Sequence, residues 1–464
     1  MLLKTEHIQN NTTAFIDIDG NVLSQKDLFD FSNVFFRHIS KRTLIFILSE
    51  NTFGSVAGYV ACLETKVVPL LLSATTETEA RTDLISIYKP EFLWIPERMI
   101  AEFEYEVVFN FYGYSLVRTG FETPILNNQL SLLLPTSGST GSPKLVRHSY
   151  TNIEENAKNI GQVFEIQTTD RSMAILPMYY TMGLSVISSY LYAGATILLY
   201  NGSLTEAQFW KFLKEQKATV FTGVPYSFEI LSKLRFLRMD LPDLKIISQG
   251  GGKISPELFN DFVLYAEKTG KKFIATYGQT EGTARMAFLP AAFAATKIGS
   301  IGKAIPNGEL FLIDENGKEI LDSDVSGEMG YRGKNVTLGY ANQLEDLLKA
   351  DERNGVLSTG DIAVRDKDGF YYIVGRISRF LKLYGTRVGL DEMEQLIAQN
   401  FEVEAMCTGN DEKMKIYVTN SSILEEVLSF VILKTGLYHQ AFEVLYIAVI
   451  PRNDVGKISY NFEQ

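Results

Sequence analysis

The chain has 464 residues, of which 46% are hydrophobic and 21% are charged, and its formal net charge is −11. This length is too great for a single hydrophobic core and predicts two or more domains. The acidic balance argues against a nucleic-acid partner, because phosphate backbones require basic surfaces. Two cysteines cannot form a disulfide framework, and four histidines without ligand spacing argue against a zinc site.

The sequence predicts no targeting or membrane segment. Its first residues lack a continuous apolar region after the first charge, and the apolar run 67–72 is too short to span a bilayer. We therefore expect a cytoplasmic protein with no membrane insertion.

Apolar, β-branched runs alternate with helical segments through the first part of the chain. Residues 43–48 predict a buried strand, 55–63 a helix and 67–72 the next strand. The alternation recurs at 172–176, 187–193, 196–200, 206–216 and 219–222, and residues 245–248 and 272–275 predict further strands. Such alternation is typical of a parallel sheet with crossover helices, so we predict an α/β fold with ligands at the carboxyl ends of the strands.

The pattern changes near residue 299. Short strands at 311–314, 328–331 and 336–340 are separated by Gly, Asn and Asp, which indicates a β subdomain over about 299–375. After a strand at 370–374, helical and strand segments alternate at 390–400, 415–419 and 423–435. We predict an N-terminal domain over 1–375, a hinge at 376–378 and a small α+β lid domain over 379–464.

A run rich in glycine and hydroxyl side chains, residues 136–144, follows the apolar segment 132–135 and ends in Lys144. Closely spaced N–H groups, hydroxyls and a cation are the requirements of a phosphate site. The Walker A spacing is missing, because the two glycines are too close together and a proline precedes the lysine. Taken alone, the run fits a flexible surface loop equally well.

Four later segments change this interpretation. They are Tyr-Gly-Gln-Thr-Glu-Gly at 277–282, Ser-Thr-Gly-Asp at 358–361, the segment 375–388 and Gly-Lys at 456–457. Together with the glycine-rich run, they resemble the adenylate-forming superfamily of acyl-CoA synthetases, nonribosomal-peptide adenylation domains and luciferases. The resemblance runs from about residue 45 to the last residues. It implies stacked mixed or parallel sheets in the large domain, with acid activation by ATP and Mg²⁺ followed by acyl transfer to a thiol.

The resemblance implies a role for each phosphate-side residue. The β- and γ-phosphates of ATP would lie against Thr136, Ser137, Gly138, Ser139, Thr140, Gly141 and Lys144. Thr280 would contact the α-phosphate, and Glu281 would bind Mg²⁺, which prefers oxygen ligands. Lys457 would bridge the carboxylate and the phosphates during adenylation and would stay protonated.

A second group would hold the base and the sugar, namely Gly251, Gly252, Lys253, Tyr277, Gly278, Asp361 and Arg376. Tyr277 would lie flat against the adenine, and Asp361 fits a bidentate hold on the ribose hydroxyls. Lys253 stands where the family usually has proline.

The acid pocket would be formed by Tyr180, Met182, Gly183, Val224 and Gln249. Amino-acid-activating members carry an aspartate at the position of Thr181, where it pairs with the substrate ammonium. A buried ammonium without a counter-charge is costly, so we expect a non-amino acid such as a short hydroxy, aryl or acyl acid.

The resemblance also implies that the lid rotates and presents a face containing Lys382, Gly385 and Arg387 to the thiol. Ser378 occupies the hinge position, where the family commonly has Asp or Lys. The acceptor would be coenzyme A or the phosphopantetheine of a free-standing acyl carrier protein, because the chain ends seven residues after Lys457. Three alternatives remain open: an amino-acid:carrier-protein ligase, a catalytically silent nucleotide-binding relative, and oxidative chemistry as in luciferases.

Overall fold

The computed structural model describes residues 2–135, 144–377, 379–453 and 456–460. Contacts divide the chain into two compact units, Met1–Glu309 with Arg332–Leu357 and Leu310–Tyr331 with Ser358–Gln464. About half of the predicted β subdomain thus clusters with the second unit. The predicted hinge at 376–378 concerns relative motion, which contacts do not measure, and stays a prediction.

The strands of the described residues follow in chain order. They are β1 (Thr13–Ile16), β2 (Val22–Ser24), β3 (Leu44–Ser49), β4 (Val68–Ser73), β5 (Phe92–Pro96), β6 (Glu106–Phe111), β7 (Tyr114–Arg118), β8 (Leu130–Pro135), β9 (Leu145–Ser149), β10 (Arg171–Ala174), β11 (Thr196–Leu199), β12 (Val220–Gly223), β13 (Ile246–Gln249), β14 (Lys272–Gln279), β15 (Ala284–Leu289), β16 (Lys303–Ala304), β17 (Gly308–Ile313), β18 (Ser326–Gly333), β19 (Gly339–Ala341), β20 (Val356–Arg365), β21 (Tyr371–Arg376), β22 (Phe380–Leu383), β23 (Thr386–Gly389), β24 (Ala405–Asn410), β25 (Lys413–Val418) and β26 (Phe442–Tyr446).

The α-helices of the same residues are α1 (Thr5–Gln9), α2 (Gln25–Ile39), α3 (Phe53–Thr65), α4 (Thr78–Tyr88), α5 (Tyr150–Val163), α6 (Thr181–Tyr192), α7 (Ala207–Glu215), α8 (Pro225–Lys233), α9 (Pro256–Thr269), α10 (Leu390–Phe401) and α11 (Leu424–Thr435). None of these described helices is both long and apolar enough to cross a bilayer.

Two large sheets form the first unit. One has the order β16-β15-β14-β13-β12-β10-β11-β1-β2, and the other has the order β19-β9-β8-β4-β3-β5-β7-β6. Helix α3 packs on β3 of the second sheet, and α6 packs on β10 and β11 of the first. A 3.0 Å hydrogen bond between Tyr59 of α3 and Ser188 of α6 joins the two helical layers. The predicted α/β fold with stacked sheets is confirmed.

The parallel strands explain where the site lies. Strands β10, β12, β13 and β14 run parallel, so their carboxyl ends share one edge of the sheet. The start of α6, the glycine run 250–252 and the turn at Thr280 all follow these ends. Continuous apolar runs such as β3, which is buried at every residue, are typical of parallel strands covered on both faces.

The second unit contains the four-stranded sheet β17-β18-β20-β21, the hairpin β22-β23 and the three-stranded sheet β24-β25-β26. Helices α10 and α11 pack their apolar faces on one core with the hairpin and the three-stranded sheet. The predicted strand 336–340 does not belong to this unit. It is observed as β19, which pairs antiparallel with β9 in the eight-stranded sheet of the first unit.

Candidate functional site

The glycine-rich run connects two paired strands. Strand β8 pairs antiparallel with β9, with Pro135 opposite Leu145. The predicted phosphate ligands Thr136, Ser137, Gly138, Ser139, Thr140 and Gly141 lie outside the described residues. Lys144 is described, and its Nζ lies 5.2 Å from the centroid of the Tyr340 ring.

The turn after β14 has an unusual backbone conformation that its surroundings enforce. Thr280–Gly282 forms one turn of 3-10 helix, and Thr283 and Ala284 follow with φ angles of 54° and 71°. Left-handed backbone is unusual for residues other than glycine and persists only where the surroundings enforce it. A Cβ added to Gly278 would lie 1.4 Å from the carbonyl oxygen of Ala284, so this position requires glycine.

Buried hydrogen bonds hold this turn from behind. The side-chain amide of Asn335 donates to the carbonyl of Gly282 at 2.7 Å, and the Thr283 hydroxyl donates to the carbonyl of Asn335 at 2.7 Å. The Thr337 amide and hydroxyl donate to the carbonyl of Glu281 at 3.0 and 2.9 Å. The carbonyls of Glu281 and Gly282 are therefore satisfied by residues outside the turn.

The side chains of Thr280 and Glu281 have defined partners. The hydroxyls of Thr181 and Thr280 lie 2.8 Å apart in a hydrogen bond. The Tyr340 hydroxyl donates to Oε1 of Glu281 at 2.8 Å. Burial, and then the charge of Glu281, raise the pKa of Tyr340 to about 12, so the phenol keeps the proton that it donates.

Two cationic side chains also lie against the Tyr340 ring. The guanidinium carbon of Arg353 lies 4.6 Å from its ring centroid, and Lys144 lies at the distance given above. Arg353 Nη1 donates to the Thr337 hydroxyl and, at 3.5 Å, to the carbonyl of Glu281. Two positive charges thus converge beside a carboxylate within an acidic chain, which is the local electrostatic pattern that a phosphate site requires.

Sequence reasoning missed Tyr340 and Arg353 because it assigned the strand 336–340 to the β subdomain. The fully buried Arg147 on β9 explains the observed position of this strand. Its Nε donates to the carbonyl of Tyr340 at 2.9 Å, and its Nη1 donates to the carbonyl of Lys349 at 2.6 Å. This pairing spans almost two hundred residues, and no local pattern encodes it.

His148, next to Arg147, contributes no charge to this region. Its ring is fully buried, and burial lowers its pKa to about 4. The residue lines a cavity of about 20 Å³ with Asn156, Thr181 and Thr283, which is enough space for one water molecule. The imidazole is therefore neutral at physiological pH and adds nothing to phosphate binding by charge.

The residues of the predicted acid pocket lie against the glycine run. A Cβ added to Gly250 would lie 2.7 Å from the terminal carbon of Met182, and one added to Gly251 would lie 2.5 Å from the Tyr180 hydroxyl. Val224 approaches Gly251 as well, and an apolar cluster joins it to Met182 and Leu176. The structure therefore brings Tyr180, Met182 and Val224 together, while acid binding at this place stays a prediction.

Gln249 and Gly183 support the same pocket. The Gln249 side chain donates to the carbonyl of Gly252 at 2.6 Å and thereby closes the glycine run. A Cβ at Gly183 would lie 2.3 Å from the carbonyl oxygen of Pro177, so glycine lets the start of α6 approach the preceding loop. Burial raises the pKa of Tyr180 to about 12, which keeps its hydroxyl neutral.

The predicted adenine residues occupy the same edge of the sheet. Tyr277 lies near the end of β14, and its hydroxyl accepts a 3.2 Å hydrogen bond from the side chain of Gln279. Lys253 follows the glycine run and is exposed. Their contact with a nucleotide stays a prediction.

In the second unit, Asp361 on β20 lies opposite Arg376 on β21. Arg376 Nε donates to Oδ1 of Asp361 at 2.6 Å, and the carboxylate side chain is only 3% exposed. These two predicted nucleotide ligands are thus paired with each other.

The other predicted residues of this unit lie in its hairpins. Lys382 is on β22, Gly385 has a φ of 84° between β22 and β23, and Arg387 is on β23. Ser378 lies outside the described residues. Lys457 is exposed and adjoins the antiparallel bridge between Arg452 and Ile458. Its approach to the Thr280 turn stays a prediction.

The described residues contain no group of three or more His, Cys, Asp or Glu side chains that could hold a metal ion. Mg²⁺ bound with ATP usually takes one or two carboxylates and completes its shell with phosphate and water oxygens. The binding of Mg²⁺ by Glu281 stays a prediction.

This chain is similar to known proteins in sequence and in fold. The model of the AMP-binding enzyme family matches residues 11–341. An oxalate–CoA ligase from Arabidopsis thaliana is 31% identical over 278 residues, which are 59% of this chain and 53% of the relative. A 2-succinylbenzoate–CoA ligase from Enterococcus faecalis is 30% identical over 285 residues, which are 61% of this chain and 57% of the relative. The matched segments thus span little more than half of these relatives.

Solved structures show the fold. An O-succinylbenzoate coenzyme A synthetase from Bacillus subtilis, in complex with AMP, superposes with a TM-score of 0.78 at 22% identity. The match covers 98% of this chain and 96% of that chain. Since the family model covers well over half of the residues, the chain belongs to the AMP-binding enzyme family.

Proposed function

We propose that this protein activates a carboxylic acid with ATP and then transfers the acyl group to a thiol. In the first step a carboxylate oxygen attacks the α-phosphorus of ATP. The bond from that phosphorus to the bridging oxygen breaks, and the products are acyl-adenylate and pyrophosphate. In the second step the thiol attacks the acyl carbon, releases AMP and gives up its proton.

The observation that carries this proposal is the arrangement around Tyr340. The Tyr340 hydroxyl binds the Glu281 carboxylate, the cations of Lys144 and Arg353 lie at its ring, and Thr280 precedes Glu281 in the same turn. Negative charge builds on phosphoryl oxygens in this reaction, so preorganised donors and cations supply most of the acceleration. A Mg²⁺ ion held by Glu281 would neutralise further phosphate charge.

We also propose that residues of the second unit bind the nucleotide. Asp361 is buried and accepts from Arg376 Nε at Oδ1, and we propose that its carboxylate also accepts from the ribose hydroxyls when the nucleotide binds. Lys457 would bring the final positive charge during adenylation, and rotation at 376–378 would then present the Lys382–Gly385 turn to the thiol. We propose the same division into an N-terminal domain, a hinge and a lid that the sequence predicts.

We propose an acid without an amino group, such as a short hydroxy, aryl or acyl acid. Tyr180 and Met182 lie against the glycine run, where we propose that the acid binds. Thr181 offers a neutral hydroxyl that already bonds to Thr280, so no carboxylate stands at this position to balance an ammonium. The matched relatives are named for acids as different as oxalate and 2-succinylbenzoate. Their names therefore do not identify the acid that this protein would activate.

We propose coenzyme A as the acceptor, because the two relatives compared above are CoA ligases by name. The phosphopantetheine of a free-standing carrier protein is the second candidate. We also propose a cytoplasmic location, in keeping with the free, buried thiols of Cys62 and Cys407.

ATP–pyrophosphate exchange tests the first step. The panel would contain acetate, butanoate, oxalate, benzoate, indole-3-acetate and the twenty standard amino acids. We expect exchange with at least one non-amino acid and with no amino acid. Exchange with an amino acid alone would replace the proposal by an amino-acid ligase, and tight ATP binding without any exchange would indicate a catalytically silent relative.

A further inference from the structure

The Lys457 segment folds as a short hairpin that needs support. The amide of Asn453 donates to the carbonyl of Lys457 at 2.8 Å, and the Lys457 amide donates to Oδ1 of Asn453 at 2.9 Å. Two-stranded hairpins are marginally stable in water by themselves. The position of the Lys457 ammonium therefore depends on whatever holds this hairpin against the lid.

Apolar packing provides one support. Ile450, Ile458 and Tyr460 belong to a small cluster with Met406 and Tyr417 of the three-stranded sheet. Ile450 is almost fully buried, whereas Ile458 and Tyr460 are half-buried. The cluster fixes the base of the hairpin but does not by itself connect it to the predicted hinge.

Arg379 makes that connection. It is the first residue after the predicted hinge, and its guanidinium carbon lies 3.6 Å from the centroid of the Tyr460 ring. The arginine side chain is only 15% exposed, so the cation–π attraction acts where water screens it little.

Other groups orient this guanidinium independently of the tail. Nε lies 3.0 Å from Oδ1 of Asp391, and Nη2 donates to Oε1 of Glu394 at 2.7 Å. Nη2 also donates to the carbonyl of Cys407 at 3.0 Å. The Tyr460 ring therefore docks on a platform built by α10 and β24, and its hydroxyl reaches the second oxygen of Glu394 at 3.4 Å.

The backbone of Arg379 continues the link toward the nucleotide residues. Its amide donates to the carbonyl of Arg376 at 3.2 Å, and its carbonyl accepts from Leu390, the first residue of α10, at 3.0 Å. A change of backbone angles at the hinge would thus move Arg379, α10 and the docked tail together.

We propose that Arg379 and Tyr460 form a clamp that sets the position of the Lys457 hairpin relative to the hinge. Both are proposed as positioning residues, because they would act on the reaction only through the position of Lys457. We further propose that the clamp matters more for adenylation than for thiol transfer. Only this consequence for catalysis rests on the proposed function. A cluster that merely stabilised the lid would serve both steps equally.

Hydrogen exchange tests the clamp without a substrate. Tyr460→Ala removes the ring from the Arg379 platform, and Tyr460→Phe keeps it. In Tyr460→Ala we expect amide exchange of residues 450–460 to rise about tenfold or more, with α11 unchanged and Tyr460→Phe like the wild type. Unchanged exchange at 450–460 in Tyr460→Ala, or an equal rise in α11, would overturn the proposal.

A second experiment measures the two half-reactions. It uses the acid that gives the fastest ATP–pyrophosphate exchange in the panel above, together with the synthetic acyl-adenylate of that acid. In Tyr460→Ala we expect ATP–pyrophosphate exchange to fall about tenfold or more, and thioester formation from the adenylate to fall less than about threefold. Tyr460→Phe should rescue both steps. Val431→Ala, a lid-core variant away from the clamp, should lower both steps alike.

Equal loss of both half-reactions in Tyr460→Ala, or failure of Tyr460→Phe to rescue, would overturn the clamp. Absence of exchange by the wild type with every acid would instead refute the proposed function, and the hydrogen-exchange arm would still decide the clamp.

Discussion

The two segments proposed to act on the phosphates, the Thr280 turn and the Lys457 hairpin, are built in opposite ways. The turn has left-handed residues, a glycine without room for a Cβ, and buried hydrogen bonds from Asn335 and Thr337. The hairpin presents an exposed lysine and depends on a small apolar cluster to which its own residues Ile458 and Tyr460 contribute half-buried side chains.

The contrast indicates that groups needed throughout the reaction and groups needed in one step are held by different kinds of structure. Groups that must hold charge throughout the reaction benefit from fixed positions, because preorganised dipoles need not reorganise as the transition state forms. A group that is needed in only one step is better carried on a mobile element that can move away from the active site afterwards. We therefore expect perturbations of the turn to affect folding and catalysis together, and perturbations of the hairpin to affect catalysis alone.

Removal of the Lys457 charge should give the largest effect. In Lys457→Ala we expect adenylate formation to slow about 10²–10³-fold, equivalent to about 3–4 kcal/mol, because one positioned charge is lost from the transition state. The far-UV spectrum and melting temperature should match the wild type. Near-normal pyrophosphate release from this variant would show that the hairpin plays no part in the reaction.

Insertion of a methyl group into the turn should come next. In Gly278→Ala the new Cβ meets the Ala284 carbonyl, so the free energy of unfolding should fall by about 2–3 kcal/mol. Gly161→Ala is the matched control: this helical glycine has open space around it, and the change should stabilise by about 0.5–1 kcal/mol. Equal unfolding free energies in the two variants would contradict an over-determined turn.

A milder change, Tyr340→Phe, tests the contribution of the Tyr340 hydroxyl separately from that of its ring. Tyr340→Phe loses the hydrogen bond to Glu281 but keeps the surface against Lys144 and Arg353. We expect adenylation to slow about tenfold, or about 1.4 kcal/mol, with little change in stability. Steady-state kinetics over a range of Mg²⁺ concentrations would measure the effect, and a rate equal to that of the wild type would remove Tyr340 from the site.

The smallest expected effect is a pH dependence of the lid. Burial raises the pKa of Glu394 to about 7 despite the nearby Arg379, so the folded lid binds a proton between about pH 4.5 and 7 that the unfolded chain releases. Its contribution to stability is therefore greatest below pH 4.5 and declines as the pH rises toward 7. The slope cannot exceed about 1.4 kcal/mol per pH unit for one proton.

Glu394→Gln should remove that slope, because the amide does not titrate. Thermal unfolding of the wild type and the variant at several pH values between 4.5 and 7.5 measures the difference. Identical slopes for the two proteins would show that the Glu394 carboxyl does not carry the extra proton.

Local patterns predicted much of this fold. The apolar runs that predict β3 and β4, and the helix between them, correspond to observed elements because parallel strands buried on both faces need continuous apolar sequence. The order of strands and helices likewise predicts a parallel sheet, whose carboxyl edge carries the Thr280 turn and the glycine run.

Long-range pairing was not predictable in the same way. Strand β19 lies beside β9 because the buried Arg147 binds its backbone carbonyls, a contact without a local signature. The site residues Tyr340 and Arg353 were missed for that reason. The clamp of Arg379 and Tyr460 likewise joins residues about eighty positions apart, which only the fold brings together.

The most direct test of acid activation is mass spectrometry of the nucleotide retained by the protein after incubation with ATP, Mg²⁺ and the mixed acids. We expect an acyl-adenylate of one non-amino acid bound to the wild type and a strongly reduced amount bound to Lys457→Ala. Equal adenylate in both proteins, or none in the wild type, would contradict the proposed acid activation.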